Sequence, residues 1–304
     1  ALFDDPEGYG RIVKDEDGNL ISIVEEKDAD LETKKIKEIN SGVNCIDSEL
    51  LRDFLSSMNN NNAQKEYYLT DIIEFAVQKN KKINTYTVKD SDEIIGINTR
   101  KQQAEAEKIL RKRISEQHLA NGVTIIDPDT TYIDSEVEIE QDVTIYPFNF
   151  LEGETKIAKN TVINPNCRLK DAVIGENVEI LANTMIKESK VGAETNVGPF
   201  AYLRPGSSVG NNCKIGDFVE LKKTTVKSGA KVPHLCYAGD AEIGERTNIG
   251  AGTIFANYDG KNKFKTKIGN DVFIGSDSIL VAPLKIGNQA KTAAGSVVTK
   301  DVNS

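Results

Sequence analysis

From Ile133 onward an aliphatic residue returns every six positions, and no other feature of the chain restricts its fold so strongly. Ile133, Ile139, Ile145, Leu151, Ile157, Ile163 and Leu169 keep unbroken phase. After a one-residue slip come Ile174, Ile180 and Ile186, then Val191, Val197, Leu203, Val209, Ile215 and Leu221. Val226, Val232, Ile243, Ile249, Ile268, Ile274, Leu280 and Ile286 extend the series. A six-residue period suits neither an α-helix nor a simple alternating strand. It suits short strands joined by tight bends, three to a coil of about eighteen residues, with the aliphatics stacked into one core. Glycine often follows the aliphatic, as at Gly175, Gly210, Gly216 and Gly275, and is expected to relax the turn.

The phase assigns other residues as well. Cys167, Cys213 and Cys236 each stand four places after a core aliphatic, where Thr, Ser or Ala stands elsewhere, and read as structural. Arg204 and Lys222 are eighteen apart and each directly follows a core leucine. They are expected one above the other on adjacent coils, about 4.8 Å apart. Stacked cations repel unless an anion lies between them, and phosphate is the natural one. Solvated charges, or pairing with Glu220, would also satisfy them. Ser276 and Ala294 repeat the same spacing with small side chains. Beside them "ANYDGKNKFKT" (256–266) interrupts the coil, a polar excursion of the kind that walls a binding site. His234 falls two residues past Val232, on a side of the prism, and is expected over the two cations on one outer wall.

At 304 residues the chain has room for two domains. A net charge of −9 gives no support to a nucleic-acid-binding surface, though a small anionic substrate needs only a few cations. No apolar run reaches the roughly 18–20 residues of a membrane span. "ALFDDPEGYGRI" lacks the layout of a signal peptide and begins mid-pattern, so further sequence is expected upstream. The four cysteines form no CxxC pair, which points to a reducing, cytoplasmic setting.

Residues 1–98 read as mixed α/β. "LISIVEE" and "INTYTV" have strand composition, and "TDIIEFAVQKN" reads as a helix from near Thr70. Residues 99–122, rich in helix formers and closing on Asn-Gly, predict one connecting helix, with His118 a C-terminal charge or surface group. The coil domain then spans 123–304.

The repeat resembles that of the hexapeptide acyltransferases, whose prism is a left-handed parallel β-helix. More specifically, "GPFAYLRPG", "GDFVELKK", "HLCYAGDAEIGERTNIGAGT", "ANYDGKNKFKT" and "VFIGSDSILVAP" follow in the order found in the bacterial bifunctional N-acetylglucosamine-1-phosphate uridyltransferase/glucosamine-1-phosphate acetyltransferase family. "GYGRI", "IVEEKDA", "EINSG", "NNNNAQKEYYLTDII" and "GINTR" resemble the later part of its uridyltransferase domain. The resemblance implies a partial Rossmann-like nucleotidyltransferase domain, a linker helix and a β-helix acetyltransferase domain.

It further implies acetyl transfer from acetyl-CoA to the amine of glucosamine 1-phosphate, with His234 as general base. Arg204, Lys222, Tyr237 and Asn248 would contact the sugar phosphate. Ala251, Asn257, Tyr258, Ser276 and Ala294 would serve acetyl-CoA. Gly10, Glu25, Asn40 and Asn98 would contact the N-acetylglucosamine part of UDP-N-acetylglucosamine, with Tyr68 and Thr70 near the same sugar. Asn98 would also be one of two Mg²⁺ ligands. The family's glycine-rich triphosphate loop, its partner metal aspartate and its C-terminal arm are not among these residues, so uridylyl transfer with UTP is expected to be incomplete here. A homotrimer with active sites between subunits is implied too. Two other readings differ in class. An assembly scaffold predicts no acetyl transfer, and a metal-dependent hydratase needs about three histidine ligands where the coil region has only His234.

Overall fold

Each six-residue repeat becomes one short strand and one bend. The structure is a computed structural model describing residues 1–304. From Thr124 the strands form three parallel sheets, which are the walls of a solenoid. The first wall begins at Thr124–Ile125 and has nine strands, the second at Tyr132–Ile133 with ten, and the third at Glu138–Ile139 with nine. Every strand pairs with the strand one coil away. Leu203 therefore stands on Leu221, Val209 on Val226, and Ile215 on Val232. These aliphatics are buried and form one continuous core. Removing so much apolar surface from water is the main stabilisation such thin strands have.

Glycine has a different task from the expected one. At most positions after the aliphatic its φ is ordinary, and the left-handed bends are taken instead by residues such as Asn166, Asn183, Phe200 and Phe218. What the glycine provides is room. A β-carbon on Gly210 would lie 2.7 Å from the backbone nitrogen of Ser228 in the next coil. Close stacking of coils, more than the turn, requires it. The three coil cysteines are buried, and the Sγ of Cys213 donates to the carbonyl of Lys227 as the Thr195 hydroxyl does to Gly210.

The chain divides into units Ala1–Ile109 and Leu110–Ser304. The first holds an antiparallel ribbon, Arg11–Lys14 with Leu20–Val24, and helices Ser48–Ser57 and Ile72–Gln78. Asp47 caps the former by accepting from the Glu49 and Leu50 amides. Residues 83–88, expected as a strand, are irregular, since strand composition does not suffice where no neighbouring strand supplies hydrogen bonds.

The connecting helix runs Arg100–Ala120. His118 is buried, against expectation, and burial lowers its pKa by penalising the charged ring. The end of this helix covers the first coil. Ile114 packs on the solenoid core, and Arg111 lies 4.3 Å over the Tyr132 ring. No helix is long and apolar enough to cross a membrane.

Candidate active site

His234 closes a strand of the first wall, Lys231–His234, whose neighbour one coil earlier is Lys214–Asp217. Asp217 is its direct partner in register, and its Oδ1 meets the imidazole Nδ1. The contact holds the Asp217 carboxyl below the ordinary carboxylate range. Both side chains keep access to solvent, His234 being 49% exposed and Asp217 36%. The same column continues the other way along the solenoid. The Gly252 amide donates to the His234 carbonyl, Asp277 to Ala251, and Gly295 to Ser276. Asp217, His234, Ala251, Ser276 and Ala294 therefore stack along one edge, with small side chains on one side of the imidazole and a carboxylate on the other. Asn248 opens the first-wall strand beside Lys231.

Arg204 and Lys222 do lie on adjacent coils, following the paired leucines 203 and 221. They belong to the second wall, however, and His234 to the first, so the expectation of one shared wall is not met within a single chain. The reason is in the repeat itself. Leu221, Val226 and Val232 are consecutive core positions on three successive walls, so His234 cannot share a face with Lys222.

Both cations have carboxylate partners. Arg204 meets Glu220 at 2.8 Å, and Lys222 lies 3.5 Å from Asp240. Arg204 and Glu220 are open to solvent, which weakens their pairing and leaves Arg204 ready to exchange Glu220 for an arriving anion. Lys222 and Asp240 are more enclosed, at 13% and 20% exposure. Lys263, from the excursion, contacts Lys222, and that contact pushes the Lys263 amine below the ordinary lysine range.

Around Lys222 the second wall gathers Tyr237 and Asn257. Gly239 is the direct neighbour of Lys222, and the Tyr237 hydroxyl and Asn257 amide close over it. A β-carbon there would lie 2.4 Å from Tyr237 Oη and 2.6 Å from Asn257 Nδ2. Asn257 is buried and donates to Asp240 at 2.6 Å, which ties the excursion to the wall. Tyr258, by contrast, is exposed at its tip.

In the first unit three of the four expected sugar contacts converge. The Asn40 amide donates to the Gly10 carbonyl, and a β-carbon on Gly10 would lie 3.4 Å from the Glu25 carboxylate. Thr70 donates to Glu25 at 2.9 Å, while Tyr68 turns to Asp28. Asn98 lies just before the long helix, its backbone amide donating to the Gln102 side chain, and two residues earlier the Gly96 amide donates to the hydroxyl of Tyr9, the neighbour of Gly10. One neutral amide oxygen does not make a Mg²⁺ site, which takes carboxylates. Asn98 alone therefore makes no metal site, as expected where the partner aspartate is not among these residues.

The family described as bacterial transferase hexapeptide (six repeats) matches residues 188–223 and 265–300. The bifunctional protein GlmU of Clostridium novyi is 53% identical over 302 residues, covering 99% of this chain and 66% of that protein. GlmU of Carboxydothermus hydrogenoformans is 51% identical over 302 residues, covering 99% of this chain and 68% of that protein. The chain belongs to the GlmU family. It spans about two thirds of the length of the curated GlmU relatives it matches. A solved UDP-N-acetylglucosamine acyltransferase from Campylobacter jejuni aligns over 51% of this chain and 66% of its own, at 18% identity and a TM-score of 0.36, too loose a fit to argue from.

Asp217 and Lys263 entered no expectation drawn from the sequence of this GlmU-family chain. The signal for Asp217 was present: it stands two residues past Ile215, as His234 stands two past Val232. Lys263 had no such signal, because the excursion carries no repeat.

Proposed function

We propose that this chain transfers an acetyl group from acetyl-CoA to the amine of glucosamine 1-phosphate. The observation that carries the reading is the edge column, an exposed imidazole with small residues Ala251, Ser276 and Ala294 on one side and a carboxylate on the other. The amine must shed a proton as it attacks, and the His234 imidazole accepts it. The new N–C bond forms at the thioester carbonyl, the C–S bond breaks, and the proton passes to the departing thiolate. Arg204 and Lys222 take the sugar phosphate, with Tyr237 and Asn248 on the sugar, while Asn257 and Tyr258 wall the acetyl-CoA side.

His234 and the cations lie on different walls, so the reading requires a homotrimer in which a neighbouring subunit completes each site. Phe200, Phe218 and Leu235 support this as an exposed apolar ridge beside His234 on three successive coils. In this reading residues 1–98 are the later part of a uridyltransferase domain, residues 99–122 a linker and residues 123–304 the acetyltransferase domain. Gly10, Glu25 and Asn40 face the sugar of UDP-N-acetylglucosamine, and the protein works in the cytoplasm.

Acetyl transfer to glucosamine 1-phosphate by the purified chain tests the reading. His234→Ala is expected to lower kcat by at least about 10²-fold, the low end of what general-base help is worth. Arg204→Ala and Lys222→Ala should raise KM for the sugar phosphate. Near-normal kcat in His234→Ala rejects the base, unchanged KM in both cation variants rejects the clamp, and a monomer in sedimentation rejects the shared site.

A further inference from the structure

We infer that Asp217 is a positioning residue that holds the His234 ring with its proton on Nδ1, leaving Nε2 as the free base; this rests on the acetyl-transfer reading above. Four observations converge on it. The strands bearing the two residues, Lys214–Asp217 and Lys231–His234, are four residues long, where the flanking first-wall strands Asn196–Val197 and Asn248–Ile249 have two. The extra length carries the pairing out to Asp217 and His234 themselves.

Gly216 permits that approach, because its missing side chain leaves space for the Pro233 carbonyl of the next coil. The backbone after each residue is fixed as well. The Leu235 amide donates to the Asp217 carbonyl at 2.9 Å, and the Gly252 amide to the His234 carbonyl at 3.2 Å. Finally, the carboxylate contacts Nδ1 and not Nε2. An ionised carboxylate only accepts hydrogen bonds, so the nitrogen facing it must carry the proton.

In a free neutral imidazole the proton moves between the two nitrogens, and a base needs one of them unprotonated and aimed. A carboxylate on Nδ1 settles both matters, the tautomer and the ring plane. Asp217 need touch no substrate to do this. It acts through the ring.

The chain has only two histidines, His118 and His234, so the imidazole ¹⁵N spectrum of histidine-labelled protein is simple to assign. His234 is expected to show a protonated Nδ1 and a bare Nε2 in the native chain, and a mixed tautomer in Asp217→Ala. In the same variant kcat for acetyl transfer should fall roughly 10- to 100-fold, a part of the base's full contribution, while both KM values stay within about twofold. Asp217→Asn keeps an oxygen acceptor of the same size and should recover most of the rate. An unchanged ring spectrum, or a kcat within about twofold of native in Asp217→Ala, overturns the inference. Transfer that survives His234→Ala overturns the proposed function instead, and the ring spectrum then tests the Asp217 contact by itself.

Discussion

Gly216 and Pro233 stand so close on neighbouring coils that a β-carbon added to Gly216 would lie 1.7 Å from the Pro233 carbonyl oxygen. The obstacle is backbone, and it belongs to the residue before His234. Gly216→Ala must therefore push two coils apart where Asp217 and His234 meet. Overpacking of this kind typically costs about 1–3 kcal/mol. The melting temperature is expected to drop by several degrees, and the ring contact should be lost with it. A melt that matches the native protein would mean the strands can part freely.

The period of six made the solenoid legible, because a core position every sixth residue leaves few other ways to bury the aliphatics. It also made the Arg204–Lys222 stack legible. The wall carrying His234 could have been read from the same counting, since Leu221, Val226 and Val232 step across three walls. The Asp217 contact could likewise be found by comparing phases. The ties of the excursion were beyond reach. Asn257 meets Asp240, and Lys263 meets Lys222, through the shape of an irregular segment whose geometry no spacing encodes. The strand expected at 83–88 failed for a related reason, because pairing is a property of two segments and composition of one.

The cysteines make a count that a thiol reagent can check. Cys45 is exposed, while Cys167, Cys213 and Cys236 are buried. Burial pushes the Cys167 thiol up to about 11 and raises those of Cys213 and Cys236. The thiolate is the reactive form, so these three are both shielded and protonated near neutral pH. A disulfide reagent should modify Cys45 rapidly in the native chain, and all four cysteines only after denaturation. Rapid native modification of a second thiol would contradict the packing of the coil.

Asn257 holds the excursion down through its bond to Asp240. Hydrogen bonds to charged groups contribute about 1.5–3 kcal/mol, so Asn257→Ala should raise the open population of this segment roughly tenfold or more. Lys261, Lys263 and Lys265 lie within it and are trypsin sites. Cleavage there is expected to accelerate, while the coils before and after it resist. An unchanged cleavage rate would show that Phe264 and its backbone bond to Asn257 hold the excursion without the side chain.

The Asp217 carboxyl is held below its ordinary range first by its hydrogen bond with His234 and next by a bond to its own backbone amide, with smaller help from the charges of His234 and Lys214, while burial opposes them slightly. For a carboxylate whose folded value is depressed, the stabilisation is complete above the unfolded value and fades as pH falls through the folded one. The Asp217–His234 contact is therefore expected to persist at pH values where free aspartate has already begun to protonate, and to break only in more strongly acid solution. A ¹³C titration of the Asp217 carboxyl measures this, and in His234→Ala its midpoint should move up towards that of free aspartate. A midpoint that does not move when the imidazole is removed would mean that the backbone amide and Lys214, and not the ring, set the charge of this carboxyl.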